Sequence, residues 1–186
     1  MRTRIFAVLT LTVIFVLFAL SVQASEPTWL FTVPKAESLD KGHYNIGFVY
    51  FDFGLADNLE LGIHGIKYAI PGSNVAFGVS IFPLGSPYIV LSPKLGSGGE
   101  LHIGVKAAPY IFFAGIEAPI SNNLKFIAEL NNGLTAGLRI LPSKEWTFDL
   151  AFAFYSVEVY RYEYSNIEIK NFHPIPWIQF AYSGKF

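Results

Sequence analysis

Leu124-Lys-Phe-Ile-Ala-Glu-Leu-Asn-Asn-Gly-Leu-Thr-Ala-Gly-Leu-Arg-Ile140 contains two alternating segments on either side of one turn signal. In each segment an apolar side chain occupies every second position, at 124, 126, 128 and 130 and again at 134, 136, 138 and 140. A period of two residues is that of a β-strand with two different faces. Asn132-Gly133 suits a two-residue hairpin turn, where both residues adopt positive φ. The stretch therefore predicts an antiparallel β-hairpin.

The same alternation recurs along the chain, with turn-forming residues between the segments. Clear examples are 58–64, 75–81 and 100–106, and the turns contain Gly, Pro, Asn, Asp and Ser. We predict an all-β, antiparallel up-and-down transmembrane barrel of about ten strands, with eight or twelve as alternatives and an even number in each case. The predicted strands are 43–53, 58–68, 74–82, 88–95, 100–107, 110–120, 124–131, 134–141, 146–164 and 167–186.

The two faces of these strands differ in chemistry. One face carries Leu, Ile, Val, Phe and Tyr, and the other carries the ionisable groups. If the polar face lines the lumen, its candidate residues are Glu60, His64, Glu100, His102, Lys106, Glu117, Lys125, Glu129, Arg139 and Asp149. A soluble periplasmic barrel of lipocalin type, with the apolar face inside around an apolar ligand, has the same alternation. Periodicity alone leaves both alternatives open.

Two properties of the polar face favour the membrane alternative. Each strand has only one or two ionisable groups there, whereas soluble surfaces are about a quarter to a third charged. Glycine also recurs on this face, and small residues suit an interior of limited radius. The candidate lumen glycines are Gly47, Gly62, Gly78, Gly104, Gly115 and Gly137.

The N-terminus is typical of a secretory signal peptide. Arg2 and Arg4 precede an apolar stretch at 5–20, and small residues precede a cut after Ala24. An uncleaved membrane anchor is the alternative. Removal of 1–24 leaves eleven basic and fourteen acidic residues, a net charge of −3, which offers no basic surface for nucleic acid. The chain has no cysteine, so disulfides and thiolate sites are excluded.

The last ten residues, Trp177-Ile-Gln-Phe-Ala-Tyr-Ser-Gly-Lys-Phe186, end on an aromatic residue and place Phe180, Tyr182 and Phe186 on one face. This segment resembles the closing strand of bacterial outer-membrane β-barrels. The resemblance implies that these three aromatics form the signal recognised by the barrel-assembly machinery, and that outer-membrane lipid surrounds the protein. Gly184 departs from the aromatic pattern.

A second resemblance covers residues 33–63, where Pro34, Leu39 and Gly42 lead into a strand and 54–62 forms a turn and return strand. This segment is similar to the opening of many poorly characterised small barrels of the bacterial outer membrane. It implies the architecture and no ligand. We expect one barrel domain at 43–186, preceded by a segment at 25–42 that either folds into the barrel as a plug or lies across its periplasmic mouth.

The expected function is a structural or surface role, or a narrow passive channel with a lumen mostly filled by side chains. With Lys94 and Lys185 counted beside Lys106, Lys125 and Arg139, the predicted lumen has five basic and five acidic groups, and this balance predicts no strong ion selectivity. An outer-membrane enzyme would need His64 or His102 as an acid or base, but no recognised catalytic motif surrounds either residue. We expect no catalytic residue, metal or cofactor.

The longest connection is predicted to be an extracellular hairpin at 157–172. It carries the row Tyr160, Tyr162 and Tyr164 as a candidate recognition surface. A four-residue turn at 165–168 would pair Glu163 with Lys170, whereas a two-residue turn would oppose like charges.

Overall fold

The computed structural model describes residues 26–48, 50–81, 85–96, 98–107, 112–131, 133–154 and 174–186. This part of the chain contains twelve β-strands. They are β1 (His43–Gly47), β2 (Phe51–Ala56), β3 (Leu59–Gly62), β4 (Gly65–Ala69), β5 (Val75–Ser80), β6 (Ser86–Leu91), β7 (Glu100–Lys106), β8 (Phe112–Ser121), β9 (Leu124–Leu130), β10 (Leu134–Ile140), β11 (Trp146–Phe154) and β12 (Pro174–Lys185).

Every strand pairs antiparallel with its neighbours in sequence, and β1 pairs with β12 to close the sheet into a barrel. The predicted all-β, antiparallel closed barrel is therefore confirmed, with the twelve-strand alternative in place of the count of ten. Two predicted strands each divide into two. The segment 43–53 reverses direction between Gly47 and Phe51, and 58–68 turns at Ile63-His64, where Gly62 pairs with Gly65 across a two-residue connection.

The apolar face of the strands points outward. Large apolar side chains are exposed on strands around the barrel, among them Phe51, Ile66, Phe77, Ile89 and Phe152. The alternate positions are buried, and many of them are polar or charged. The buried apolar cluster is formed partly by residues 29–36, which precede the first strand, and it meets Tyr88, Phe113 and Ile127 from the wall.

The barrel has two distinguishable ends. At the proximal end, Gly42 and Phe186 meet, and the Phe186 N–H donates to the Gly42 carbonyl oxygen at 2.9 Å. At the distal end lie the β1–β2 and β3–β4 turns and the last residues of β5, β7, β9 and β11. No helix in the described part of the chain is long and apolar enough to cross a membrane.

Candidate functional site: a barrel interior occupied by the N-terminal segment

Residues 26–42 are called here the inner segment, and its part at 27–36 lies within the barrel. The segment folds back on itself, because Leu30 N–H donates to Val33 O at 2.9 Å and Lys35 N–H donates to Thr28 O at 3.0 Å. Leu30, Phe31 and Val33 at the tip of this turn are fully buried. The sequence left open a plug or a cover for the periplasmic mouth, and these contacts place the segment in the interior.

Glu129 on β9 holds the tip of the inner segment. Its Oε2 accepts the backbone N–H groups of Phe31, Thr32 and Val33 at 2.9 to 3.2 Å, and its Oε1 accepts the Thr32 hydroxyl at 2.7 Å. A carboxylate that accepts several N–H groups replaces the water that each donor lost on burial. Glu129 therefore acts as a cap for a turn that has no strand to pair with.

Arg139 on β10 holds the carbonyl side of the same turn. Its guanidinium makes two 2.8 Å bonds to Asp149 on β11, the residue directly opposite it in the sheet. It also donates to the carbonyl oxygens of Trp29 and Leu30 at 3.2 and 2.9 Å. Both charges are fully buried. Their pairing leaves guanidinium donors available for the inner segment.

Tyr50 joins this cluster from the β1–β2 turn. Its hydroxyl donates to Leu30 O at 2.6 Å and accepts from Arg139 at 2.9 Å. Burial raises the pKa of Tyr50 well above its ordinary value, so the phenol keeps the proton that it donates.

A second ion pair binds the stem of the inner segment. Lys67 on β4 and Glu60 on β3 are cross-strand partners with Nζ and Oε1 3.2 Å apart. Glu60 accepts the Thr28 hydroxyl, the Trp29 indole N–H and the Leu39 backbone N–H. Lys67 donates to Thr28 O at 3.0 Å and lies 5.3 Å from the centre of the Trp29 ring. Both charges of the pair therefore contact the inner segment, because the Glu60 carboxylate accepts hydrogen bonds from it and the Lys67 ammonium donates to it and lies near the Trp29 ring.

A third cluster lies toward the proximal end. Lys35 of the inner segment pairs with Glu117 on β8 at 3.2 Å, and Glu117 also pairs with Lys125 on β9 at 3.2 Å. Lys125 contacts Glu26 at the start of the segment. In this cluster, the charges of the barrel strands and those of the inner segment therefore compensate one another.

The two histidines predicted for the lumen lie in different surroundings. His64 stacks on Trp29 with ring centres 4.5 Å apart, and its Nδ1 is 3.6 Å from Oδ1 of the buried Asp52. His102 is fully buried, and its Nδ1 is 2.8 Å from the Ser92 hydroxyl, which accepts the Ala36 N–H. Its Nε2 lies 4.0 Å from Glu100. Among the residues that the structure describes, no group of three or more His, Cys, Asp or Glu could hold a metal ion.

The six candidate glycines lie where the wall has little room. An added Cβ at Gly115 would overlap Leu30 of the inner segment, and one at Gly104 would overlap the Phe113 ring. At Gly62 and Gly78 it would meet the side chains of Asp52 and Tyr88, respectively. At Gly47 and Gly137 it would meet the backbone of neighbouring strands. Gly115 thus makes space for the inner segment itself.

Lys106 lies at the distal end of β7. Its Nζ donates to Asn131 Oδ1 at 2.6 Å, and Asn131 Nδ2 donates to the Thr32 hydroxyl at 2.8 Å. Beside them is a cavity of about 360 Å³, whose floor includes Trp29 and Pro34. The inner segment therefore fills the middle of the barrel and leaves a cavity at the distal end.

Phe180, Tyr182 and Phe186 lie on the outer face, with Phe180 and Phe186 exposed, whereas Trp177 of β12 packs against the buried apolar cluster. Gly184, the departure from the aromatic pattern, pairs with Tyr44, and the Tyr44 ring lies over the space that a side chain at 184 would fill. Tyr160, Tyr162, Tyr164 and the whole predicted hairpin at 157–172 lie outside the described residues.

Several interior residues were missed in the sequence, chiefly Lys35, Tyr50, Asp52, Lys67 and Gln179, all of them buried. Asp52 and Lys67 were missed because the chain reversals after Gly47 and after Gly62 were not foreseen, and in uninterrupted strands at 43–53 and 58–68 the alternation would turn both residues outward. The glycines on either side of Ile63-His64 were the available signal for the second turn.

No family model matches the chain, and no curated protein or solved structure is detectably similar to it.

Proposed function

We propose that this chain is an outer-membrane β-barrel protein with a structural or surface role, closed by its own N-terminal segment. The observation that carries the proposal is the distribution of polarity, with large apolar side chains exposed outside the barrel and paired charges buried within it. A closed barrel satisfies its backbone hydrogen bonds internally, as a membrane-spanning sheet must.

The soluble alternative fits this distribution poorly. A lipocalin-type barrel would use its apolar face to enclose a ligand, but here the apolar face lies outside. Soluble proteins rarely expose a continuous apolar patch above a few hundred Å². The exposed residues around this barrel form a belt rather than an isolated patch.

The narrow-channel alternative is disfavoured by the inner segment. Leu30, Phe31 and Val33 occupy the interior and are fully buried, and Glu129, Arg139 and Glu60 bind the segment at three separate places. A path for ions would require this segment to move. We therefore expect the resting protein to be non-conducting.

A catalytic role has little support. His102 and Ser92 are buried beneath Ala36, so a substrate has no access to them in this arrangement. His64 is covered on one ring face by Trp29. We propose that these histidines fill and polarise the interior rather than transfer protons to a substrate.

Export and assembly complete the proposal. The signal peptide at 1–24 would deliver the chain to the periplasm, and Phe180, Tyr182 and Phe186 would present the closing strand to the barrel-assembly machinery. The signal peptide lies outside the described residues.

The test begins with membrane fractionation and with heat-modifiable gel mobility after folding into detergent. The purified protein is then added to a planar bilayer. We expect outer-membrane fractionation, a mobility shift on heating and no steady conductance. Solubility without detergent would overturn the membrane assignment. Discrete conductance steps in the unmodified protein would overturn only the proposal that the inner segment closes the barrel.

A further inference from the structure

The distal cavity lies between the inner segment and the open end of the barrel. Its volume is about 360 Å³, within the usual range for small-ligand sites. Trp29 and Pro34 contribute to its floor, and Ile63, Ser80, Lys106 and other residues near the distal ends of the strands surround it. The cavity exists because the inner segment fills the barrel only part of the way.

The cavity is built mainly from apolar and aromatic groups. Trp29, Tyr88 and Phe113 pack around it, and the Trp29 and Tyr88 rings meet edge to face with centres 6.0 Å apart. Ile63 borders it and is also exposed at the barrel surface. Such walls favour an apolar body of the size of a short alkyl chain or an aromatic ring.

The cavity has a cation in its lining, Lys106, and no acidic side chain is among the described residues that line it. The carboxylate of Glu129, which accepts the hydroxyl of the lining residue Thr32, also acts electrostatically on the Lys106 ammonium. Asn131 orients the ammonium from one side through the 2.6 Å bond to Nζ. Asn131 is itself fixed by Thr32, which Glu129 holds in turn. The cation is thus positioned by a chain of contacts that reaches the inner segment.

We propose that the distal cavity binds a small amphiphilic monocarboxylate, with its apolar body between Trp29 and Phe113 and its carboxylate at Lys106. A charge-assisted hydrogen bond from the ammonium fixes the head group, and burial of the apolar body supplies the rest of the affinity. The site is separate from the barrel's structural role, and binding in detergent does not depend on membrane location.

The experiment uses Trp29 as the reporter and a matched pair of ligands. In the full chain with Trp146→Phe and Trp177→Phe, Trp29 is the remaining tryptophan. 8-Bromooctanoate and 8-bromooctanol are titrated against the folded protein in detergent, because bromine quenches tryptophan fluorescence on contact. We expect saturable quenching by both ligands, with the carboxylate binding about tenfold more tightly than the alcohol.

Lys106→Met removes the charge and keeps much of the side-chain volume. It is expected to weaken carboxylate binding about tenfold and to leave alcohol binding unchanged. Lys144→Met, at the exposed proximal end, is the matched control and should change neither affinity. Equal losses for both ligands in Lys106→Met, or quenching that never saturates, would overturn the proposal. Either result leaves the membrane assignment untouched, because fractionation tests that independently.

Discussion

Glu129 shows how a single wall residue can stabilise the tip of the inner segment. Three backbone N–H groups at the tip of the turn donate to one carboxylate oxygen, and Phe31, Val33 and Glu129 itself are buried. A buried donor left without an acceptor costs about 1 to 3 kcal/mol. The Glu129 carboxylate therefore stabilises the inner segment more than it stabilises β9, the strand that carries it.

Glu129→Leu should lower the free energy of unfolding by about 3 kcal/mol, since it leaves these donors unpaired. Glu129→Gln keeps one acceptor oxygen and should cost only about 1 kcal/mol. Urea titration followed by heat-modifiable mobility measures both. Glu37→Gln, at an exposed position of the same segment, is the control and should have no effect. Equal stability of the Leu and Gln variants would contradict the proposed cap.

Gly115 gives a second test at the residue scale. Its missing side chain accommodates the Cδ1 methyl group of Leu30, a residue that is completely buried. Gly115→Val should therefore destabilise the protein by about 1 to 3 kcal/mol through overpacking.

Leu30→Ala should relieve much of that cost. The double variant should therefore lose less free energy of unfolding than the two single variants lose together. Gly96→Val, where nothing lies near the added atoms, is the matched control. Strictly additive effects would mean that the segment is not packed against β8 in solution.

At the scale of elements, β12 extends well beyond its partner β1. Gly47 pairs with Ala181, and the last bond between these strands runs from Phe48 N–H to Phe180 O at 3.1 Å. No described residue pairs with 174–179 on that side. By the alternation of the ladder, the backbone N atoms of 174, 176 and 178 face this open edge. Pro174 and Pro176 have no N–H, which leaves fewer unpaired donors there.

Pro176→Val would restore an N–H on this edge and give a second chain a strand to pair with. We expect part of the protein to shift from monomer to dimer in size-exclusion chromatography with light scattering, in detergent. The matched control is Pro142→Val, in the β10–β11 connection, which should leave the proportion of dimer unchanged. A Pro176→Val protein that stays wholly monomeric would show that this edge is covered.

The sequence predicted long, uninterrupted elements better than short turns. The segments 124–131 and 134–141 match β9 and β10 closely, because strict alternation and Asn132-Gly133 specify the hairpin locally. The turn Phe48-Val49-Tyr50 is apolar and carries no turn chemistry, so 43–53 resembled one strand. A missed turn reverses the phase of the alternation, so Asp52 and Lys67 were not recognised as inward-facing residues.

The binding partners of the inner segment were not predictable in the same way. Its contacts join residues that are far apart in sequence, such as Val33 with Glu129 and Leu30 with Arg139. Periodicity identifies which wall residues face inward but does not reveal what fills the space. Only the closed barrel brings these groups to within hydrogen-bonding distance.

At the scale of the whole molecule, the strands of the barrel differ greatly in length. β3 has four residues and β12 has twelve, which correspond to roughly 13 and 40 Å along the strand. The apolar band of outer-membrane barrels is about 25 Å tall. If the protein is embedded as proposed, the sector β1–β4 is shorter than the bilayer core, and Phe48 at its distal turn is strongly exposed.

Local thinning of the bilayer costs only fractions of a kcal/mol per Å, whereas burying the turn's polar backbone groups in hydrocarbon costs several kcal/mol. The bilayer should therefore thin beside β1–β4, and the cost should grow with lipid length. We expect the free energy of unfolding in vesicles to be highest in lipids with ten- or twelve-carbon chains and to fall in those with eighteen.

Phe48→Lys tests the position of the short sector directly. With the turn at the lipid–water interface, the substitution should cost less than about 1 kcal/mol in thin bilayers and more as the lipid chains lengthen. Leu138→Lys, at an outward position in the middle of β10, is the matched control and should cost about 2 to 4 kcal/mol in both kinds of bilayer. If Phe48→Lys were as costly as Leu138→Lys in thin bilayers, the short sector would lie within the hydrocarbon core and the bilayer would not thin around it.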